Sequence, residues 1–402
     1  MINIEYFIKK NITKRNESLF SSDLKKFKQA LSKRILKKSV LVIGGAGTIG
    51  SNYIKALLKF EVTSLVVVDI NENGLTELVR DLRSSDKYNI PEKFTTYPID
   101  FGDTVFKKIF VNHGTFDIVA NFAAHKHVRS EKDIFSIEAM LRNNILKAKK
   151  LLDLLIDYPP QHFFCVSTDK AANPVNIMGA SKKLMEELIF SYSNKIPIKT
   201  ARFANVAFSN GSLLQGFLER LSKKQPWSCP LGIRRFFVSP RESGELCLIA
   251  CIMGESGDIF YPKLSHKDMI PFDQIALDLL NFLNLKVKIC KTENDAITIS
   301  KKLSENSKEY PVYFFESETS GEKSYEEFYT ENEILDVNSF NKLGVIKHSK
   351  IRNLNEIGIV LSKIENIFND TGLKKSDIVN VLKGYLPNFD HIETGKNLDQ
   401  KM

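Results

Sequence analysis

Thr168-Asp169-Lys170 sets a hydroxyl, a carboxyl and an amine side by side, a group able to give and take protons at one substrate. The three follow an apolar strand-like run, Phe163-Phe164-Cys165-Val166, and precede a helix-like run from Met178 to Tyr192. Lys182 lies one helical turn past Met178, so the two share a face. Met178 cannot titrate. Thr168, Asp169 and Lys170 are the candidates for proton chemistry.

A second constellation binds rather than reacts. Val40-Leu41-Val42-Ile43 runs into Gly44-Gly45-Ala46-Gly47-Thr48-Ile49-Gly50, and an apolar helix follows. Gly44 permits a tight turn, Gly47 a close backbone approach, and Gly50 close helix–strand packing. A pyrophosphate would sit at the helix start, on the free amides around Thr48 and Ile49. Asp69, ending the next strand, is placed for the ribose hydroxyls of a dinucleotide. Its charge disfavours a 2′-phosphate, which predicts NAD, with NADP as the alternative. Asp100, after the third strand, is either an adenine contact or a strand-end cap.

Asn121-Phe122-Ala123-Ala124-His125-Lys126-His127-Val128 follows the fourth strand. Small residues such as Ala123 let the backbone lie beside the cofactor. Lys126 and His127 would reach the substrate, His127 in a structural or contact role rather than as the base. Asn144, in the helix that follows, reads as a strand-bridging polar residue rather than a catalyst. Arg202-Phe203-Ala204-Asn205-Val206 and Arg234-Arg235 supply Asn205 and Arg235 as substrate contacts. Two arginines beside a dinucleotide site fit a nucleoside diphosphate, a surface salt bridge being the alternative for either one.

The elements that must position these groups follow from periodicity. Strand candidates Val40–Ile43, Ser64–Asp69, Thr95–Ile99, Asp117–Ala120, His162–Ser167 and Ile198–Phe203 alternate with amphipathic runs. That predicts an α/β chain, a Rossmann-type doubly wound parallel sheet, with a smaller C-terminal substrate-binding lobe. The expected division is a basic helical arm over 1–38, a dinucleotide domain over 39–203, and the lobe with a C-terminal extension over 204–402. Residues 303–309 read as a loop, and Leu354–Phe368 as a last amphipathic segment.

The net charge of +9 is local. Residues 1–38 hold eleven Lys or Arg and three acids, hence +8, and the other 364 residues are almost neutral. A basic body that tracks nucleic-acid phosphates is therefore not expected. The arm reads as a solvated helix dispensable for chemistry, with weak attachment to an anionic membrane surface as the alternative. No apolar stretch approaches the ~20 residues of a membrane span. The first residues do not read as a secretory signal. Five cysteines without metal-type spacing predict reduced thiols, no metal and a cytoplasmic setting.

Taken together, the Gly44–Gly50 turn, Ala123–Val128, Ser167–Pro174 and Met178-Gly179-Ala180-Ser181-Lys182 resemble an extended short-chain dehydrogenase/reductase. More narrowly they are similar to the polysaccharide-biosynthesis enzymes that act as UDP-N-acetylglucosamine 4,6-dehydratases. The likeness covers about 39–262 and thins through Gly321-Glu322-Lys323 and Glu393-Thr394-Gly395-Lys396. Short-chain dehydrogenases carry Tyr where Met178 stands, and Met marks one branch of the group. Where the family has Arg-Pro-Gly-Glu-Lys, this chain has Thr319-Ser320-Gly321-Glu322-Lys323, and Ala204 replaces a Gly. The transmembrane region of the large members is not seen in this sequence.

The resemblance implies NAD, a UDP-sugar substrate, a homo-oligomer, and catalytic roles for Thr168, Asp169, Lys170, Met178 and Lys182, the last also touching cofactor. In the implied cycle Lys170 takes the carbon-5 proton and Asp169 protonates the leaving 6-hydroxyl. Lys170 must then be neutral, and burial, Lys182 and the nicotinamide charge are expected to lower its pKa. A nucleotide-sugar epimerase or oxidoreductase, and a non-catalytic sensor, are the rival readings.

Overall fold

The computed structural model describes residues 2–316, 321, 323–347 and 351–393. Six short strands, β1 (Ser39–Ile43), β2 (Ser64–Val68), β3 (Lys93–Tyr97), β4 (Ile118–Asn121), β5 (His162–Val166) and β6 (Ile198–Ala201), lie in one nine-stranded sheet. From one edge the order is Ile334–Asp336, Leu343–Lys347, Asp258–Pro262, β6, β5, β4, β1, β2, β3. Asp258–Pro262 through β3 run parallel, and Leu343–Lys347 pairs antiparallel with both of its neighbours.

Period-two side chains explain why helices cover both faces. Leu41 and Ile43 of β1 enter one core with Phe106, Met140, Leu152 and Leu188. Val40 and Val42 enter the opposite core with Tyr53, Ile54, Leu78 and Leu246. A strand buried on both sides needs a continuous apolar run, which β1 has. The doubly wound prediction holds.

A smaller sheet of Lys286–Cys290, Glu309–Phe315 and Trp227–Pro230, all parallel, forms the lobe. Its core stacks Trp227 on Phe217 at 4.5 Å between centroids, and the Trp227 indole donates to the Phe217 carbonyl. Not all of 204–402 belongs to it. Asp258–Pro262, Ile334–Asp336 and Leu343–Lys347 complete the main sheet. Helices Leu354–Ile367 and Lys375–Tyr385 pack through Ile357, Leu361, Ile364, Ile378 and Leu382 into the core that holds Leu184, Met185 and Leu188 of the Ile177–Ser191 helix.

The arm is not solvated. Phe7, Ile8 and Ile12 lie in the core of the lobe, and Phe20, Leu31 and Ile35 in that of the main sheet. Each fully buried side chain of this kind contributes about 1.5–3 kcal/mol. The lysines face outward, and the net charge that marked the arm as surface conceals an apolar side. Asp23, fully buried, accepts from the Asn341 and Lys342 amides and fastens the arm to the far end of the sheet. Among the described residues no helix is long and apolar enough to cross a membrane.

Candidate active site

The glycine turn leaves β1 with Gly44 at φ +76°, a value that suits glycine. A Cβ on Gly44 would fall 2.5 Å from the Ala123 amide nitrogen, and one on Gly50 would fall 2.3 Å from the Gly44 carbonyl oxygen. At Gly47 the space is open, the nearest atom being Gly44 O at 3.5 Å. Helix Thr48–Leu57 begins at Gly47 with no side-chain cap, so its first amides face that opening. An uncapped helix end beside open space fits a pyrophosphate. The Thr48 hydroxyl accepts from the Asn210 amide, and Ile49 packs between the two cores.

Asp69 braces the same turn: its oxygens accept from the Ala46 and Asn71 amides, each at 2.9 Å. Asp100 accepts from the Gly102 amide at 2.7 Å and pairs with Lys147, so it closes its own strand end whatever else it touches. Ala123 sits against Gly44, its amide donating to the Asn121 side chain. Asn144 grips both backbone groups of His125 and also donates to Ser181, bridging the loop to the Ile177–Ser191 helix rather than one strand to another. Lys126 and His127 are exposed, and the His127 ring lies so close to Gly211 that a Cβ there would meet Nε2 at 2.9 Å.

Beyond β5 the reactive run closes into a cluster. The Thr168 hydroxyl donates to Asp169 Oδ1 at 2.9 Å, and Lys170 Nζ donates to the same oxygen at 3.0 Å. A second acid completes it: Glu326 Oε1 stands 3.6 Å from Lys170 Nζ, with both carboxyl side chains 4% exposed. Nothing local in the sequence marks Glu326 apart from the adjacent Glu327. Lys323 Nζ donates to the Asn173 carbonyl, Asn176 to the Gly321 carbonyl and Asn173 to Glu327, which ties the Glu326 segment to the loop after Lys170.

The charge logic differs from the expectation. Burial pushes Lys170 down, but the Asp169 and Glu326 carboxylates outweigh it, and its pKa ends above that of a free lysine. Burial pushes Glu326 up. Lys182 is buried away from this exchange, donating to the Val166 carbonyl at 2.6 Å, and burial lowers its pKa. The leading influences on Lys170 are its burial, Asp169, Glu326 and Arg235 rather than Lys182.

Met178 is 2% exposed and packs in the core, its amide donating to Glu131 Oε1 at 2.8 Å. Glu131 was not anticipated. It is buried at the start of the Ile177–Ser191 helix, its Oε2 has no partner among the described residues, and burial raises its pKa to about 6.

Arg202 is a correction. It is wholly buried and holds Glu186 at 2.8 Å, Glu333 at 2.9 Å and the Phe328 carbonyl, which leaves no face for a phosphate. Glu186 also accepts from Ser167. Arg235 is buried and donates to the Arg234 and Ser324 carbonyls, within electrostatic reach of Lys170 and Glu326. Asn205 lies half-buried in a two-residue strand beside Phe237–Val238. Thr319, Ser320, Glu322 and Thr394 to Lys396 lie outside the described residues.

Comparison with known proteins matches the profile of the polysaccharide biosynthesis protein family to residues 40–348. An uncharacterized membrane protein of Methanocaldococcus jannaschii is 34% identical over 60% of this chain and 72% of its own length. The capsular polysaccharide biosynthesis protein CapD of Staphylococcus aureus is 27% identical over 89% of this chain, which spans 56% of that protein. A UDP-glucose 4-epimerase of Rickettsia canadensis is 29% identical over 56% of this chain and 66% of its own length. In fold, Pen from Bacillus thuringiensis superposes with a TM-score of 0.63 at 22% identity, over 82% of this chain and 98% of its own. With the glycine turn, the parallel sheet and the Thr168–Lys170 cluster in one molecule, and the profile covering more than half its length, the chain belongs to the polysaccharide biosynthesis protein family.

Proposed function

We propose that the protein is a nucleotide-sugar 4,6-dehydratase that converts UDP-N-acetylglucosamine to a UDP-4-keto-6-deoxy sugar for surface glycan synthesis. One observation carries the reading: Thr168, Asp169 and Lys170 form a hydrogen-bonded cluster, while the position usually held by a catalytic Tyr is a buried Met. The open helix end at Gly47 and the Asp69 carboxylate fit NAD, with Asp69 disfavouring NADP. NAD, when bound, supplies acceptance of the carbon-4 hydride and its return to carbon 6.

The chain's own residues move protons. The Thr168–Asp169 hydrogen bond gives the 4-hydroxyl proton a route to Asp169, which needs no titrating group at 178. Asp169, now the neutral acid, donates that proton to the departing 6-hydroxyl. Lys170 removes the carbon-5 proton and later returns one to carbon 5. Burial of the cluster excludes water from a reactive keto intermediate.

The Rickettsia relative supports a second reading, a 4-epimerase. Incubation with UDP-N-acetylglucosamine followed by mass analysis separates the two. A dehydratase gives a product lighter by one water, and an epimerase gives no change of mass.

A further inference from the structure

The cluster as it stands holds its base in the wrong state. Lys170 faces Asp169, Glu326 and Arg235, and with both carboxylates ionised it is an ammonium. An ammonium has no lone pair for a carbon-bound proton. Once Asp169 has taken up the 4-hydroxyl proton it can no longer accept one from Lys170. The other carboxylate in ion-pair contact with that amine, among the described residues, is Glu326.

We infer that Glu326 is the proton acceptor that converts the Lys170 ammonium into the free amine needed at carbon 5, a positioning residue acting through Lys170. This rests on the dehydratase reading. An N–H bond of Lys170 breaks and an O–H bond forms on Glu326 Oε1. The freed lone pair takes the carbon-5 proton as the 6-hydroxyl departs with the proton from Asp169. Lys170 then returns a proton to carbon 5 when hydride reaches carbon 6, and Glu326 gives its own proton back to Lys170. The net change is the loss of one water.

Three observations support it. The Nζ–Oε1 separation is 3.6 Å, so a closure of about 0.5–1 Å, or one bridging water, gives a transfer geometry. Glu326 is 4% exposed, which favours its protonated form, although Lys170, Arg235 and Lys323 oppose that while Asp169 assists. The three hydrogen bonds from Asn173, Asn176 and Lys323 fix its segment against the catalytic loop.

The test follows exchange of the carbon-5 hydrogen with D2O during turnover of UDP-N-acetylglucosamine, where Asp169 already holds the 4-hydroxyl proton, alongside reduction of NAD by substrate. In Glu326→Gln, exchange at neutral pH should fall about 100-fold and recover as pH is raised, while nicotinamide reduction stays within about threefold of wild type. Glu326→Asp should restore part of the exchange. If Glu326 is only a counter-ion, its removal makes Lys170 easier to deprotonate. Exchange in Glu326→Gln would then persist, with its acid limb moved to lower pH, and the inference is overturned. Failure of the wild-type protein to release water overturns instead the reading beneath it.

Discussion

Arg15 clasps Glu242 with two parallel hydrogen bonds, Nε to Oε1 at 3.1 Å and Nη2 to Oε2 at 2.9 Å. Glu242 is nearly inaccessible and also caps the Pro240–Met253 helix with Ser239. The arm is thus wired to a core helix. Arg15→Ala should lower unfolding stability by about 3 kcal/mol, because it leaves a buried carboxylate with the Leu19 and Ser239 amides but without the Arg15 charge. Urea denaturation measures this, and deletion of residues 1–38 should prevent folding rather than merely change assembly. A truncated chain with normal stability would return the arm to the surface.

Active-site roles predict unequal losses. Lys170→Ala should abolish dehydration, and Asp169→Asn should block water loss while substrate still reduces NAD, each by about 100-fold or more. Met178→Leu conserves volume in a core position and should cost under about 1.5 kcal/mol of stability with little loss of rate. Parallel stopped-flow absorbance and product mass assays resolve the steps. A Met178→Leu enzyme as damaged as Lys170→Ala would show a role for the thioether.

Glu131 makes stability depend on pH in a stated direction. Its folded pKa of about 6 lies above the unfolded value of 4.5, so between these the native state binds more protons. Stability should therefore decline as pH rises from about 4.5 to 7, by at most about 2 kcal/mol. Glu131→Gln keeps an oxygen for the Met178 amide and removes the charge. It should flatten this limb and be the more stable protein at pH 7.5, as thermal melts across pH would show. An unchanged pH slope would refute the assignment.

Arg202 should matter to folding, not to phosphate. Arg202→Lys replaces a guanidinium held on both sides by carboxylates and should cost about 3 kcal/mol or more, leaving Glu186 and Glu333 poorly paired. If melting is unchanged and only the apparent affinity for UDP falls, the phosphate role is restored.

For the cofactor, titration should show NAD bound more tightly than NADP, and Asp69→Ala should narrow the gap. The same substitution also frees the Ala46 and Asn71 amides, so affinity for both should drop. Equal binding of the two by the wild-type protein would sink the argument from Asp69.

What could be read from sequence was what local pattern controls. Strands buried on both faces announce themselves as apolar runs, and β1, β2, β5 and β6 lie within one or two residues of expectation. The third strand is Lys93–Tyr97 rather than Thr95–Ile99, because an edge strand with half-buried side chains carries no apolar run to fix its limits. Thr168, Asp169 and Lys170 are consecutive, so their meeting needs no folding to foresee. Glu326 and the partners of Arg202 come from distant segments and were invisible for that reason. The arm misled because its lysines outnumber the few side chains that anchor it.

The helices Leu354–Ile367 and Lys375–Tyr385 spend their apolar sides on the Ile177–Ser191 helix, and Arg352 pairs there with Glu187 at 2.8 Å. The chain after them runs beside the loop that follows Lys170, where Asp390 and Ile392 amides donate to the Pro174 and Val175 carbonyls. A long apolar helix beside an active site would otherwise be a mating surface for a second copy. Here the molecule is its own partner at that surface. Removing the two helices would bare this apolar side and unsettle the loop that follows Lys170.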